Sequence, residues 1–144
     1  MLLVRQLLKS RPAPHVLASE ISILEAARFL RAKRIGGAPV VEHGRLVGFC
    51  SERDLVCRVI AEGRDPDRTR VADVMTREVI TAELDDTILE CEAKLRIAHC
   101  RHLPVVENAH VLGCLSMRDF LQSDLREREA EIEALTAYVK SAGG

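Results

Sequence analysis

The 144-residue chain sets 21 Lys and Arg against 22 Asp and Glu, and a net charge of −1 gives no electrostatic case for nucleic acid as a partner. Aromatics are only 3% of the chain, so aliphatic side chains must supply the core. No apolar run approaches the roughly twenty residues of a membrane span, and Met1-Leu2-Leu3-Val4 is interrupted by Arg5 too early for a signal peptide, so no membrane is expected and the cytoplasm is the expected compartment.

In chain order, Val4 to Lys9 predicts a short helix ended by Pro12-Ala13-Pro14. His15-Val16-Leu17 suits a brief strand, and Ser19 and Ser22 are both plausible caps for the next helix, where Ile23, Ala26, Ala27 and Leu30 recur at helical spacing. Gly36-Gly37 is expected to end it. Ala38 to Glu42 and Leu46 to Cys50 read as a hairpin around His43-Gly44-Arg45. Ser51 opens a helix with an apolar face of Leu55, Val56, Val59 and Ile60, which stops at Gly63 before the polar stretch Arg64 to Arg68. The plan then recurs: a short helix over Val71 to Met75, a strand over Val79 to Ala82, and a helix carrying Ile88, Cys91 and Leu95. A hairpin over Leu103–Glu107 and His110–Leu115 follows. The last helix starts at Ser116 and is expected to run to about Lys140. Its apolar stripe of Leu121, Leu125, Ile132, Leu135 and Val139, broken at Arg128, implies a partner surface. Five cysteines, an odd number without C-x-x-C spacing, read as small buried hydrophobes in a reducing compartment.

The recurrence is a true repeat. Pro39-Val40-Val41-Glu42, Gly48 and Ser51-Glu52-Arg53-Asp54 return 65 residues later as Pro104-Val105-Val106-Glu107, Gly113 and Ser116-Met117-Arg118-Asp119. From Ile23 to Asp54, 13 of 32 positions match their partners without a gap, against about two by chance. Two half-size units follow: 1–63 and 71–124, with a linker at 64–70 and a helical extension over 125–144. Units that small must share an interface.

With Asp73-Val74-Met75-Thr76, Pro104-Val105-Val106, Gly113 and Ser116-Met117-Arg118-Asp119, and their first-copy equivalents, the chain resembles a tandem pair of cystathionine-β-synthase (CBS) domains, similar to stand-alone bacterial two-CBS proteins. The resemblance implies an α/β (α+β) fold: two β-α-β-β-α motifs packed about a pseudo-two-fold axis with two clefts between them, here with a long C-terminal helix added. It also implies a homodimer of pairs and a regulatory sensor of adenosine-containing ligands, AMP or ATP in type, with no required cofactor and no catalysis.

Ser51-x-x-Asp54 and Ser116-x-x-Asp119 match a capping box, and the same helix start offers amides and a positive dipole end to a phosphate. Arg53 and Arg118 sit in the first helical turn, where the dipole disfavours a cation and a phosphate partner is the more natural. The resemblance adds that the Ser hydroxyls assist there and that the Asp carboxylates accept from ribose hydroxyls. It assigns Thr81 an adenosine contact, and Pro39 and Pro104 a part in shaping the adenine slot. Thr81 faces Val16 in the first copy, and His102 faces Gly37, so the second copy is expected to hold nucleotide better. His99-Cys100-Arg101-His102 is the one cluster resembling metal chemistry, and as a helix end running into a strand it is expected to splay its side chains, so no metal is assigned. The alternative is an assembly module with vestigial clefts whose C-terminal helix docks a protein partner.

Overall fold

A computed structural model describes residues 1–143. The chain runs α1 (Val4–Leu8), β1 (Leu17–Ala18), α2 (Ile23–Lys33), β2 (Gly37–Glu42), β3 (Arg45–Ser51) and α3 (Glu52–Asp54), the last continuing as a π-helix over Leu55–Ile60. The second half follows with α4 (Val71–Val74), α5 (Ile88–Ala98), β4 (His102–Glu107), β5 (His110–Ser116) and α6 (Met117–Gly143). The strands form one sheet in the order β1-β2-β3-β5-β4. Each hairpin closes through two residues of positive φ, His43 and Gly44 in one and Asn108 and Ala109 in the other, the turn whose twist matches that of paired strands. The hairpins meet where Arg45 opposes His110 and the Leu46 N–H donates to the Ala109 carbonyl at 2.8 Å.

Of the two serines before α2, Ser22 is the cap, accepting from the Glu25 N–H, whereas Ser19 is buried against Glu42. Thr87 caps α5 in the same way. Ile23, Ala26 and Leu30 of α2, and Ile88, Cys91 and Leu95 of α5, face the interior as their spacing predicts.

The two cores interlock by exchange. The first contains Leu17, Leu30, Val40 and Val59, but it is completed by Val71, Val74 and Met75 from the opening of the second repeat. The second contains Ala82, Leu95, Leu103, Leu115 and Phe120, and is completed by Val4 of α1, with Leu7 and Leu8 packed against it. Glycine permits both crossings. A Cβ on Gly48 would stand 2.5 Å from Met75 Sδ and 2.9 Å from the Thr76 carbonyl oxygen, and one on Gly113 would stand 2.7 Å from Leu8 Cδ2.

Several expectations are corrected. The helix α2 does not end on Gly36-Gly37: Arg34 itself turns left-handed (φ 57°), its N–H and that of Ile35 returning to the last turn, and Gly37 lies in β2. The strand expected over Val79 to Ala82 shrinks to one bridge, Ala82 to Val105. Beyond it the chain turns at once, the Glu83 N–H donating to the Asp86 carboxylate at 2.9 Å and the Asp86 N–H to the Glu83 carbonyl at 3.1 Å. In the first copy the strand is displaced by a residue, leaving Val16 outside β1. The helix after Ser51 widens to i→i+5 bonding, as in Ala61 N–H to the Val56 carbonyl, and Val56 and Ile60 are exposed while Val59 is buried. Cys57 and Cys100 are exposed, whereas Cys50 and Cys91 are buried. Among the described residues no helix is long and apolar enough to cross a membrane. The helix α6 extends past Lys140 to Gly143, with Phe120 and Ser123 buried and its later apolar stripe exposed.

Candidate functional site

A cleft of about 740 Å³ opens where the second helix junction meets the first repeat. It brings together Ser116, Arg118, Asp119 and His102 from the second copy with Gly37 and Pro39 from the first. Val16 is represented only by its neighbour His15, at the end of the Pro12-Ala13-Pro14 segment that forms one wall. Thr81 and Pro104 are outside this lining. Pro104 is packed in β4, and the Thr81 carbonyl accepts from Lys94 Nζ at 3.0 Å. Ser51, Arg53 and Asp54 form a separate junction.

Asp119 Oδ2 accepts from the Ser116 N–H at 2.7 Å and the Ser116 hydroxyl at 3.2 Å, while Oδ1 accepts from Arg11 Nη2 at 2.5 Å. Burial raises the carboxyl's pKa, but the Arg11 bond, the Ser116 N–H and the Arg11 charge outweigh it, holding Asp119 below the usual carboxylate range. Arg34, Arg101 and Arg118 also line the cleft, so four guanidiniums face one carboxylate. His102 stacks tilted on Phe49 with ring centroids 5.2 Å apart. Burial first, then the Arg101 charge, lowers its pKa and favours the neutral ring. Burial, then the charge of Asp119, pushes the Cys114 thiol in the cleft wall up to about 12, so it is no nucleophile at neutral pH.

The first junction is built differently. Asp54 is 7% exposed and forms a complete capping box with Ser51: Ser51 N–H to Oδ2 at 2.9 Å, and Asp54 N–H to Ser51 Oγ at 3.3 Å. Its other oxygen accepts from Thr76 Oγ1 at 3.3 Å, with Arg58 Nε at 3.7 Å. Arg58 also donates to the Val74 and Met75 carbonyls, tying the junction to the exchanged segment. Arg53 points to solvent. In both copies the first helical amide is already engaged, Glu52 N–H by the Gly36 carbonyl and Met117 N–H by the Arg101 carbonyl, so the helix starts offer less to a phosphate than an open terminus would. His99 and Cys100 are exposed while His102 turns into the cleft, and among the described residues no group of three or more His, Cys, Asp or Glu is placed to hold a metal.

Arg11, His15, Arg34 and Arg101 escaped the sequence reading. For Arg11 the signal was present: the 65-residue offset pairs it with Thr76 of the Asp-Val-Met-Thr stretch.

Two repeated α/β units with exchanged cores and a cleft between them define a paired module built by duplication. The CBS domain model matches residues 4–60 and again 71–126, and the chain belongs to the CBS-domain family as a tandem pair, a regulatory module. It is 33% identical over 124 residues to the CBS domain-containing protein CBSCBSPB3 of Arabidopsis thaliana, covering 85% of this chain but only 22% of that protein's length. Among solved structures it resembles a protein from Burkholderia ambifaria described as a signal-transduction protein with CBS domains (TM-score 0.80, 28% identity, 86% of this chain and 94% of that one). It also resembles the CBS domain pair of protein MJ0100, solved in complex with 5-methylthioadenosine and S-adenosyl-L-methionine (TM-score 0.76, 30% identity, 87% and 97%).

Proposed function

We propose that the chain is a cytoplasmic sensor that takes an adenosine-containing ligand of the AMP or ATP type into the cleft at Ser116, Arg118 and Asp119. The observation that carries this is the pairing of one ionised, largely covered carboxylate with four arginines and a neutral histidine in one cleft drawn from both repeats. A carboxylate suits a ribose diol and arginines suit phosphate. The adenosine ligands bound by MJ0100 support the nucleoside part of the reading. Thr81 and Pro104, with Ser51, Arg53 and Asp54, belong in this reading to a second position of different character. Isothermal calorimetry tests it: Asp119→Ala should weaken ATP or AMP binding at least about tenfold, the size of one or two charge-assisted hydrogen bonds. Equal affinities for variant and parent would sink the reading.

The second reading, assembly, rests on exposed apolar surface. Val56 and Ile60 are 58% and 65% exposed, and their equivalents one repeat on, Leu121 and Leu125, are 59% and 58% exposed. This duplicated patch fits a homodimer of pairs. Further along α6, Ile132, Leu135, Tyr138 and Val139 lie open for a protein partner. Light scattering on a chain ending at Arg128, which keeps Leu125 and removes Ile132 to Val139, separates the two surfaces: a dimer that survives the cut assigns self-association to the duplicated patch and leaves the tail for a partner.

A further inference from the structure

We propose that Arg11 decides which adenosine ligands the cleft accepts, admitting those that bring phosphate and turning away the uncharged nucleoside; this rests on the adenosine-ligand reading of the same cleft. Arg11 and Thr76 are equivalent under the repeat, and each reaches across to the acid of the opposite copy, Thr76 Oγ1 to Asp54 at 3.3 Å and Arg11 Nη2 to Asp119 at 2.5 Å. The fold reserves this position for a contact to the acid. The chain fills it with a hydroxyl on one side and a permanent cation on the other.

The consequence follows from the two oxygens of Asp119. Both lone pairs of Oδ2 are taken by the Ser116 N–H and hydroxyl, so the two hydroxyls of a ribose diol must both turn to Oδ1, where Arg11 already holds one of the two lone pairs. A nucleoside arriving there displaces the guanidinium and strands it, with its side chain only 31% exposed, among Arg34, Arg101 and Arg118. Asp119 exchanges one partner for another, but the guanidinium loses its charge-assisted bond with nothing in return. A nucleotide carries the replacement partner with it: phosphate oxygens accept the guanidinium fork as it leaves Asp119. One residue therefore links the ribose end of the cleft to the phosphate end.

Calorimetric titration of the full chain and of Arg11→Gln with adenosine, ATP and inorganic tripolyphosphate tests this. Arg11→Gln should bind adenosine about tenfold more tightly and ATP about tenfold more weakly, each change matching one charge-assisted hydrogen bond. Arg11→Lys, which keeps the charge without the fork, should fall between. Adenosine and ATP affinities moving by the same factor in the same direction would overturn the proposal. If the parent chain binds neither nucleoside nor nucleotide but Arg11→Gln still weakens tripolyphosphate about tenfold, the adenosine reading fails and Arg11's selection of phosphate stands. No binding of any of the three probes overturns both.

Discussion

The two Ser-x-x-Asp junctions share a motif and differ in what meets the acid. Asp54 is enclosed: Ser51 caps it, Thr76 donates to it, and Arg58 ties it to the carbonyls of Val74 and Met75. Asp119 stands at a cleft, and only the half of its capping box that runs from Ser116 to the acid forms among the described residues. Its outward oxygen is held by an arginine from the other end of the chain. The same four-residue pattern thus forms a closed structural clasp in one copy and lines a cleft in the other. A motif specifies a local backbone geometry; the residue arriving from across the repeat decides its use.

That contrast can be broken most directly at the acids. Asp54→Ala removes the buried acid of the capping box and leaves Thr76 without its acceptor and Arg58 without its counter-ion, and urea denaturation should show a loss of about 2–3 kcal/mol. Asp119→Ala, at a partly open site, should cost about 1 kcal/mol. Equal losses would dissolve the distinction between clasp and site. The glycines under the exchanged segments sharpen it next. Gly48→Ala drives a methyl against Met75 and the immovable Thr76 carbonyl, whereas Gly113→Ala meets only the flexible end of Leu8. The expected costs are about 2 kcal/mol for Gly48→Ala and under about 1 kcal/mol for Gly113→Ala, read as a difference in melting temperature.

Smaller effects separate the two hairpins. Ala109 sits at φ 67° where the first hairpin has Gly44 at φ 78°. Ala109→Gly should therefore stabilise the chain by up to about 1 kcal/mol, and Gly44→Ala should destabilise it by a similar amount. The smallest effect concerns His102, whose equivalent is Gly37. Because burial, then Arg101, lowers its pKa below 6.5, the folded chain takes up this proton less readily than the unfolded chain. Its contribution to stability is complete above pH 6.5 and is lost as the pH falls through the folded value. His102→Gln should flatten that part of the stability profile measured between pH 7.5 and 5.5.

Much of the architecture was legible because it is local. The spacing of Ile23, Ala26 and Leu30, the turn at His43-Gly44 and the repeat itself are properties of short stretches, and the elements follow them. The misread boundaries were settled by competing donors. Arg34 adopts the left-handed stop that Gly36 was expected to supply, and the Asp86 carboxylate fixes a turn at Glu83 where a longer strand was expected. The site was legible in part: Ser116, Arg118, Asp119 and His102 do share a cleft with Gly37 and Pro39. Arg11 was not, because its partner lies 108 residues away. Reading each copy by itself also grouped Thr81 with Ser116, whereas the cleft is assembled from opposite copies.

The crossing of the opening segments has a last consequence. Since Val4 seals the second core and Val71, Val74 and Met75 seal the first, neither repeat closes its core by itself. A lone repeat has a gap where its sister's leading segment belongs, and fills it only by lending its own to another copy, a mutual domain swap. The present chain is that swapped pair joined end to end. The polar stretch from Arg64 to Arg68 keeps the two lenders at the high effective concentration of an intramolecular encounter, so assembly of the pair does not depend on how much protein is present.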